Sequence, residues 1–112
     1  MLLNGGELDG VRILSRKTVE LMTSDHLGPL PCCAQIFGPG QLWGLGVGVY
    51  GKTHQHHLAV SPGSYGWGGY FGHRWWIDPK EELIGLIMSQ RVPDNGDYLT
   101  KYYDLVYQAI ID

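Results

Sequence analysis

The residues best suited to chemistry gather between positions 61 and 79. There Ser61-Pro62-Gly63-Ser64-Tyr65-Gly66-Trp67-Gly68-Gly69-Tyr70-Phe71-Gly72-His73-Arg74-Trp75-Trp76-Ile77-Asp78-Pro79 sets glycines among aromatics. Glycines that interrupt a strand mark a close approach by another backbone or a ligand, so this run reads as the functional edge of a sheet. Ser64 is the nearest match to a nucleophile elbow. Pro62, however, stands where G-x-S-x-G requires glycine, and a strand follows rather than a helix. No local histidine or lysine pattern orients it, and Ser64 reads as a turn serine. His54 and His56 lie two apart, on one face of a strand, with His57 and His73 close in sequence, and are the candidate metal ligands. They lack an H-E-x-x-H signature and nearby carboxylates, which favours an exposed polar hairpin with no metal and no cofactor.

Other chemistry is excluded by spacing or composition. Cys32 and Cys33 are adjacent, too close for an unstrained bridge and unlike the spaced cysteine pair of a zinc site. Loop thiols in a reducing compartment fit them better, so a cytoplasmic location is expected. A signal peptide lost from upstream of Met1 would instead direct the protein to the periplasm or outside the cell. Gly44, Gly46 and Gly48 lack the final spacing of a dinucleotide loop, and no helix follows them. Net charge is −3 and the eight basic residues are scattered, which argues against nucleic acid as a partner. No apolar run approaches the ~20 residues of a membrane helix.

The elements that must position the 61–79 run follow from periodicity. Met1-Leu2-Leu3-Asn4-Gly5-Gly6 reads as the last turn of a helix that begins before residue 1, since Asn-Gly-Gly tolerates a left-handed cap. A small hairpin with an Asp9-Gly10 turn follows. Ser15 stands as N-cap of a two-turn helix carrying Leu14, Thr18, Leu21 and Met22 at helical spacing. Residues 25–41 show no period and form a loop.

Residues 42–50 alternate as one strand, with Trp43, Leu45, Val47 and Val49 facing one way and glycines the other. Residues 53–60 pair back as a short strand. The 61–79 run and residues 83–88 read as two antiparallel strands joined by a reverse turn at Asp78-Pro79-Lys80-Glu81, and residues 83–89, apolar on both faces, make a central strand covered on both sides. Leu99, Tyr102, Tyr103, Val106 and Ile110 form the stripe of a closing helix, with Asp94, Asn95 or Asp97 as its cap. The expected fold is α+β: an antiparallel sheet of three to four strands packed by the C-terminal helix, a single partial domain over residues 1–112. One helix covers one face, so missing chain or a second copy must supply the other layer.

The order of these pieces resembles a known family. Met1 to Gly6, the helix Leu14-Ser15-Arg16-Lys17-Thr18-Val19-Glu20-Leu21-Met22, Trp43-Gly44-Leu45-Gly46, Tyr65-Gly66-Trp67-Gly68-Gly69, Trp76-Ile77-Asp78-Pro79 and the closing helix are similar to the C-terminal part of the serine β-lactamase-like family. Class C β-lactamases, penicillin-binding proteins and related esterases belong to it. The resemblance covers the whole chain but only the closing portion of a family member.

It implies a partial β-lactamase/transpeptidase-like fold and nucleophilic acyl transfer. In that chemistry a Ser-x-x-Lys serine attacks, the lysine and a Tyr-x-Asn tyrosine move protons, and a third motif lines the site on an edge strand. Trp67-Gly68-Gly69 matches that third motif. Trp67, Gly68, Gly69 and Tyr70 are thereby implied as substrate-binding residues, with glycines letting an acyl group lie against the backbone. The Tyr70 backbone N–H is implied as one of two oxyanion donors. Trp67 replaces a cationic lysine, so small esters or amides displace β-lactams as the implied substrate class.

The chain departs from the family pattern in its reactive half. Three positions after its serines stand Thr18, Leu27, Ser64, Trp67 and Val92, never lysine, and no Tyr-x-Asn occurs. No catalytic residue is therefore expected here, and the isolated chain is expected to be inactive without the missing N-terminal part of the hydrolase. The rival expectation is a non-catalytic binding module that closes its sheet by self-association as a symmetric dimer.

Overall fold

The computed structural model describes residues 1–28, 30, 40–52, 59–92 and 96–111. The Gly6 N–H donates to the Met1 carbonyl and the Gly5 N–H to the Leu2 carbonyl, both at 3.1 Å. Gly5 and Gly6 have φ of 60° and 102°. This crossed pair of bonds is the Schellman arrangement that closes helices, although residues 2–6 themselves form a turn. β1 (Glu7–Leu8) and β2 (Val11–Arg12) pair across Asp9 and Gly10, whose φ of 49° and 78° are what a two-residue hairpin turn needs. The Ser15 Oγ accepts the Thr18 N–H at 3.0 Å and starts α1 (Arg16–Met22), which ends at Thr23 as its periodicity implies.

The main sheet has five strands in chain order, all antiparallel: β3 (Gln41–Trp43), β4 (Gly48–Tyr50), β5 (Tyr65–Gly68), β6 (Arg74–Asp78) and β7 (Leu83–Ile87). That is one strand above the expected three to four, because two stretches expected as single strands are each broken in two, residues 61–79 at the loop between β5 and β6 and residues 42–50 at a turn. There the Gly44 N–H turns back to the Val47 carbonyl at 2.9 Å, and Gly46 takes a φ of 81°. The alternation runs straight through this turn, so periodicity alone reads one strand where the glycines make a hairpin. Of the strand expected over 53–60, residues 53–58 lie outside the described residues, and Ala59 and Val60 sit in a turn and a bend.

Each face of the sheet has its own core. Val47, Val49, Tyr65 and Ile77 pack with Leu2, Leu3, Leu42 and Trp75 on one side. Val60, Trp76, Leu99 and Tyr103 pack on the other, where α2 (Asp97–Gln108) lies. Leu99 and Tyr103 of the apolar stripe are buried, while Ile110 falls beyond the helix and is exposed. The N-cap of α2 is Gly96, with no side-chain cap. Asp97 stands in the first turn, where its charge suits the helix dipole.

Residues 83–89 are not central. β7 is an end strand, and Ile84, Leu86 and Met88 are exposed, so the two-sided apolar pattern marks a row left open among the described residues.

Trp76 is the fully buried pivot of the helix side. Its ring lies 4.2 Å from that of Tyr103 and edge-on to Tyr102 at 5.7 Å, and its Nε1 donates to the Tyr107 hydroxyl at 3.2 Å. A Cβ on Gly85 would fall within the Trp76 ring, which is why β7 carries a glycine opposite it. Beside Trp76, the fully buried Asp78 accepts from Tyr107 Oη at 2.7 Å and from the Ser61 N–H at 3.0 Å. Its other oxygen accepts the N–H groups of Lys80 at 3.1 Å and Glu81 at 3.3 Å, forming the turn into β7. One carboxylate thus ties the start of the 61–79 run, the β6–β7 turn and α2 together.

Candidate functional site

Trp67 and Gly68 end β5. The strand is third of five, so the expected edge position is corrected at the level of the whole sheet. Its register with β4 stops at Gly66, whereas pairing with β6 continues through Trp67↔Trp75 and Gly68↔Arg74. The motif therefore projects past β4, as a local edge. Trp67 is 41% exposed, and the Trp43 ring rests against it at 4.4 Å, tilted by 53°. Trp43 is held in turn: its N–H donates to Asp25 Oδ1 at 3.3 Å, and its carbonyl accepts the His26 N–H at 2.7 Å. The sequence offers Trp43 only as a core or sheet-face aromatic, because nothing local shows that the 44–47 turn brings it beside Trp67.

Five residues, Gly69 to His73, join β5 to β6, with Tyr70-Phe71-Gly72 at the tip. The Gly72 N–H donates to the Gly69 carbonyl at 3.0 Å, the Gly69 N–H donates to the His73 carbonyl at 3.1 Å, and Gly72 takes a φ of 84°. This is a β-turn followed by a left-handed glycine, a common hairpin solution. The loop is pinned from the chain after β7. The Phe71 carbonyl accepts Ser89 Oγ at 3.1 Å and the Arg91 N–H at 3.0 Å, and the Gly72 carbonyl accepts the Tyr98 hydroxyl at 2.6 Å. The Tyr70 side chain is 78% exposed, and among the described residues its backbone N–H has no hydrogen-bond partner.

Both glycines of the motif lie against side chains of β6 and the loop before it. A Cβ on Gly68 would overlap the Arg74 guanidinium, and one on Gly69 would overlap the His73 imidazole. The space a side chain would occupy at these two positions is filled by the protein's own side chains.

The remaining candidates separate from this end of the sheet. Ser64 closes a turn, its N–H donating to the Ser61 carbonyl at 3.1 Å, and its side chain is fully buried with no hydrogen-bond partner for Oγ among the described residues. His54 and His56 lie outside the described residues; among those described, no cluster of three or more His, Cys, Asp or Glu is placed to hold a metal. Burial pushes the phenols of Tyr50, Tyr103 and Tyr107 above their ordinary value, so they stay protonated at neutral pH and none supplies a phenolate base. No helix among the described residues is long and apolar enough to cross a membrane. What the arrangement can do is present a part-exposed indole and, in the loop that follows it, a backbone donor with no partner among the described residues.

Comparison with known proteins bears on the family and the fold. A family model described as Beta-lactamase matches residues 6–109. Protein Rv1367c of Mycobacterium tuberculosis strain H37Rv, and the protein MT1414 of strain CDC 1551, are each 35% identical over 101 residues, covering 84% of this chain. The chain spans about a quarter of the length of these curated relatives, 25% in each case. Among solved structures, EstCE1, a hydrolase with promiscuous acyltransferase activity, aligns with a TM-score of 0.68 and 30% identity over 94% of this chain and 26% of its own. The simvastatin synthase LovD of Aspergillus terreus shares the fold at a TM-score of 0.66 and 24% identity, over 96% of this chain and 33% of its own.

Proposed function

Because this chain belongs to the β-lactamase family, we propose that it is the C-terminal part of an esterase-like serine hydrolase and furnishes the substrate wall and one oxyanion donor of its cleft. Trp67, Gly68 and Gly69 form the wall, and the Tyr70 N–H stabilises the charge that develops on the attacked carbonyl oxygen. The observation that carries the reading is the Tyr70 N–H. It lies in the loop two residues past the end of β5, which carries the part-exposed Trp67, and lacks an internal acceptor among the described residues. An uncharged Trp67 in place of a lysine suits small esters or amides better than a carboxylate-bearing lactam. The nucleophile and its proton carriers come from chain outside these 112 residues, so the segment alone hydrolyses nothing.

The test is a chimera of EstCE1 in which residues 6–109 replace the matching segment. It is expected to fold, to react with a fluorophosphonate probe and to turn over short-chain aryl esters, while the 112-residue chain alone does neither reaction. A folded chimera that labels with the probe yet shows no turnover contradicts the reading, as does labelling of a serine in the chain alone.

A second reading is favoured by one observation, the row Ile84, Leu86 and Met88 on β7, exposed by 57%, 56% and 76%. Such a row is the kind of surface a non-catalytic, self-associating module would bury. Light scattering on the purified chain decides it: a dimer that Leu86→Lys converts to monomer supports assembly, and a monomer at all concentrations removes it.

A further inference from the structure

We infer that Arg74 is a positioning residue for the Tyr70 N–H, an inference that rests on the oxyanion reading above. The Gly69 carbonyl accepts two hydrogen bonds, from Arg74 Nη1 at 3.3 Å and from the Gly72 N–H at 3.0 Å. That carbonyl and the Tyr70 N–H belong to one peptide unit. The unit is planar and trans, so its C=O and N–H point in opposite directions. Fixing the carbonyl with two donors fixes the plane, and the N–H is aimed to the other side, away from the guanidinium.

The cation does more than hold. A charged donor on the carbonyl polarises the amide, and linked hydrogen bonds strengthen one another, so the N–H becomes a better donor to developing negative charge. Arg74 Nη1 also donates to the His73 carbonyl at 3.0 Å and so bridges both ends of the loop. The carbonyls of Phe71 and Gly72 are held instead by Ser89, Arg91 and Tyr98, so that the guanidinium meets the Gly69 and His73 carbonyls at the two ends of the loop. Gly68 completes the device. It lies opposite Arg74 in the β5–β6 register, and any Cβ there would displace the guanidinium.

Heteronuclear NMR of the labelled 112-residue chain tests the geometry, and kinetics of the EstCE1 chimera test its consequence. In Arg74→Met, the Gly69 carbonyl carbon and the Tyr70 amide proton are expected to move upfield, while the core resonances of Trp76 and Tyr103 stay in place. Arg74→Lys keeps part of the signature, because an ammonium still donates but cannot bridge two carbonyls. Gly68→Ala gives the same signature with the arginine present, which covers the case in which Arg74→Met does not fold. In the chimera, Arg74→Met is expected to lower kcat about 10-fold with KM little changed, less than loss of the donor itself. Unmoved Gly69 and Tyr70 signals in a folded variant overturn the inference, and so does an unchanged kcat. If Tyr70→Pro lowers kcat while Arg74→Met does not, only this inference falls; if Tyr70→Pro has no effect, the oxyanion reading falls with it.

Discussion

Replacing Tyr70 by proline is expected to lower kcat of the EstCE1 chimera about 10²–10³-fold, with KM little changed, because it deletes one oxyanion donor and nothing else the substrate meets. The substitution is unusually clean. Tyr70 is the second residue of the β-turn closed between Gly69 and Gly72, the position where a fixed proline φ is favoured. The turn survives while its outward N–H disappears. The tyrosine ring is 78% exposed, so its loss costs little packing. Tyr70→Ala is the control: it removes the ring, keeps the N–H and leaves kcat within a few-fold of the parent chimera. Equal kinetics for the proline and alanine variants would show that the N–H takes no part in the reaction.

The largest stability effect is expected at Asp78. Its two oxygens accept from Ser61, Tyr107, Lys80 and Glu81 in a fully buried setting. Asp78→Asn puts an amide N–H₂ where one oxygen stood, so donors then face donors, and a charge-assisted bond becomes a neutral one. The expected loss is on the order of 3 kcal/mol, given that a hydrogen bond to a charged group contributes about 1.5–3 kcal/mol. For a domain of this size that lowers the melting temperature by roughly 10 °C or more.

The same carboxylate sets an acid limit. Burial by itself pushes the Asp78 pKa up, but the hydrogen bonds from Tyr107, Ser61 and Glu81 outweigh it, and the net shift is downward. A carboxyl whose folded pKa lies below its unfolded value contributes stability that is present above the unfolded pKa, about 3.9, and is lost as pH falls through the folded one. Thermal melts should therefore be flat near neutrality and fall below about pH 4. Asp78→Asn should be less stable at pH 7 and lose less of its remaining stability on acidification. A variant with the same acid profile as the wild type would assign the acid limit to other carboxylates.

The legible parts of the fold share a cause. The Asp9-Gly10 turn, the Ser15 cap, the stripe from Leu99 to Val106 and the Asp78-Pro79 turn into β7 arise from residues a few positions apart, whose chemistry dictates local backbone geometry. The closing helix and antiparallel sheet follow, as does the family to which the order of motifs points. The 44–47 turn escaped because Leu45, Val47 and Val49 keep strand alternation across a break that depends on Gly46 and on the Leu45 N–H reaching the Met22 carbonyl, at 2.8 Å, from a distant part of the chain. Likewise, the apolar runs of β7 look alike whether a second layer covers them or not.

The site divides in the same way. That Trp67-Gly68-Gly69 belongs to a strand, and that no Ser-x-x-Lys accompanies it, can be read from the order of residues alone, which suggests room beside its backbone. What fills the room cannot. Arg74 over Gly68, His73 over Gly69 and Trp43 against Trp67 are pairings across strands, and the anchoring of Phe71 and Gly72 by Ser89, Arg91 and Tyr98 spans up to 26 positions. Backbone preference acts over a few residues and is written into the string itself, whereas register, twist and loop path determine which distant side chains meet, and these exist only once the sheet has formed.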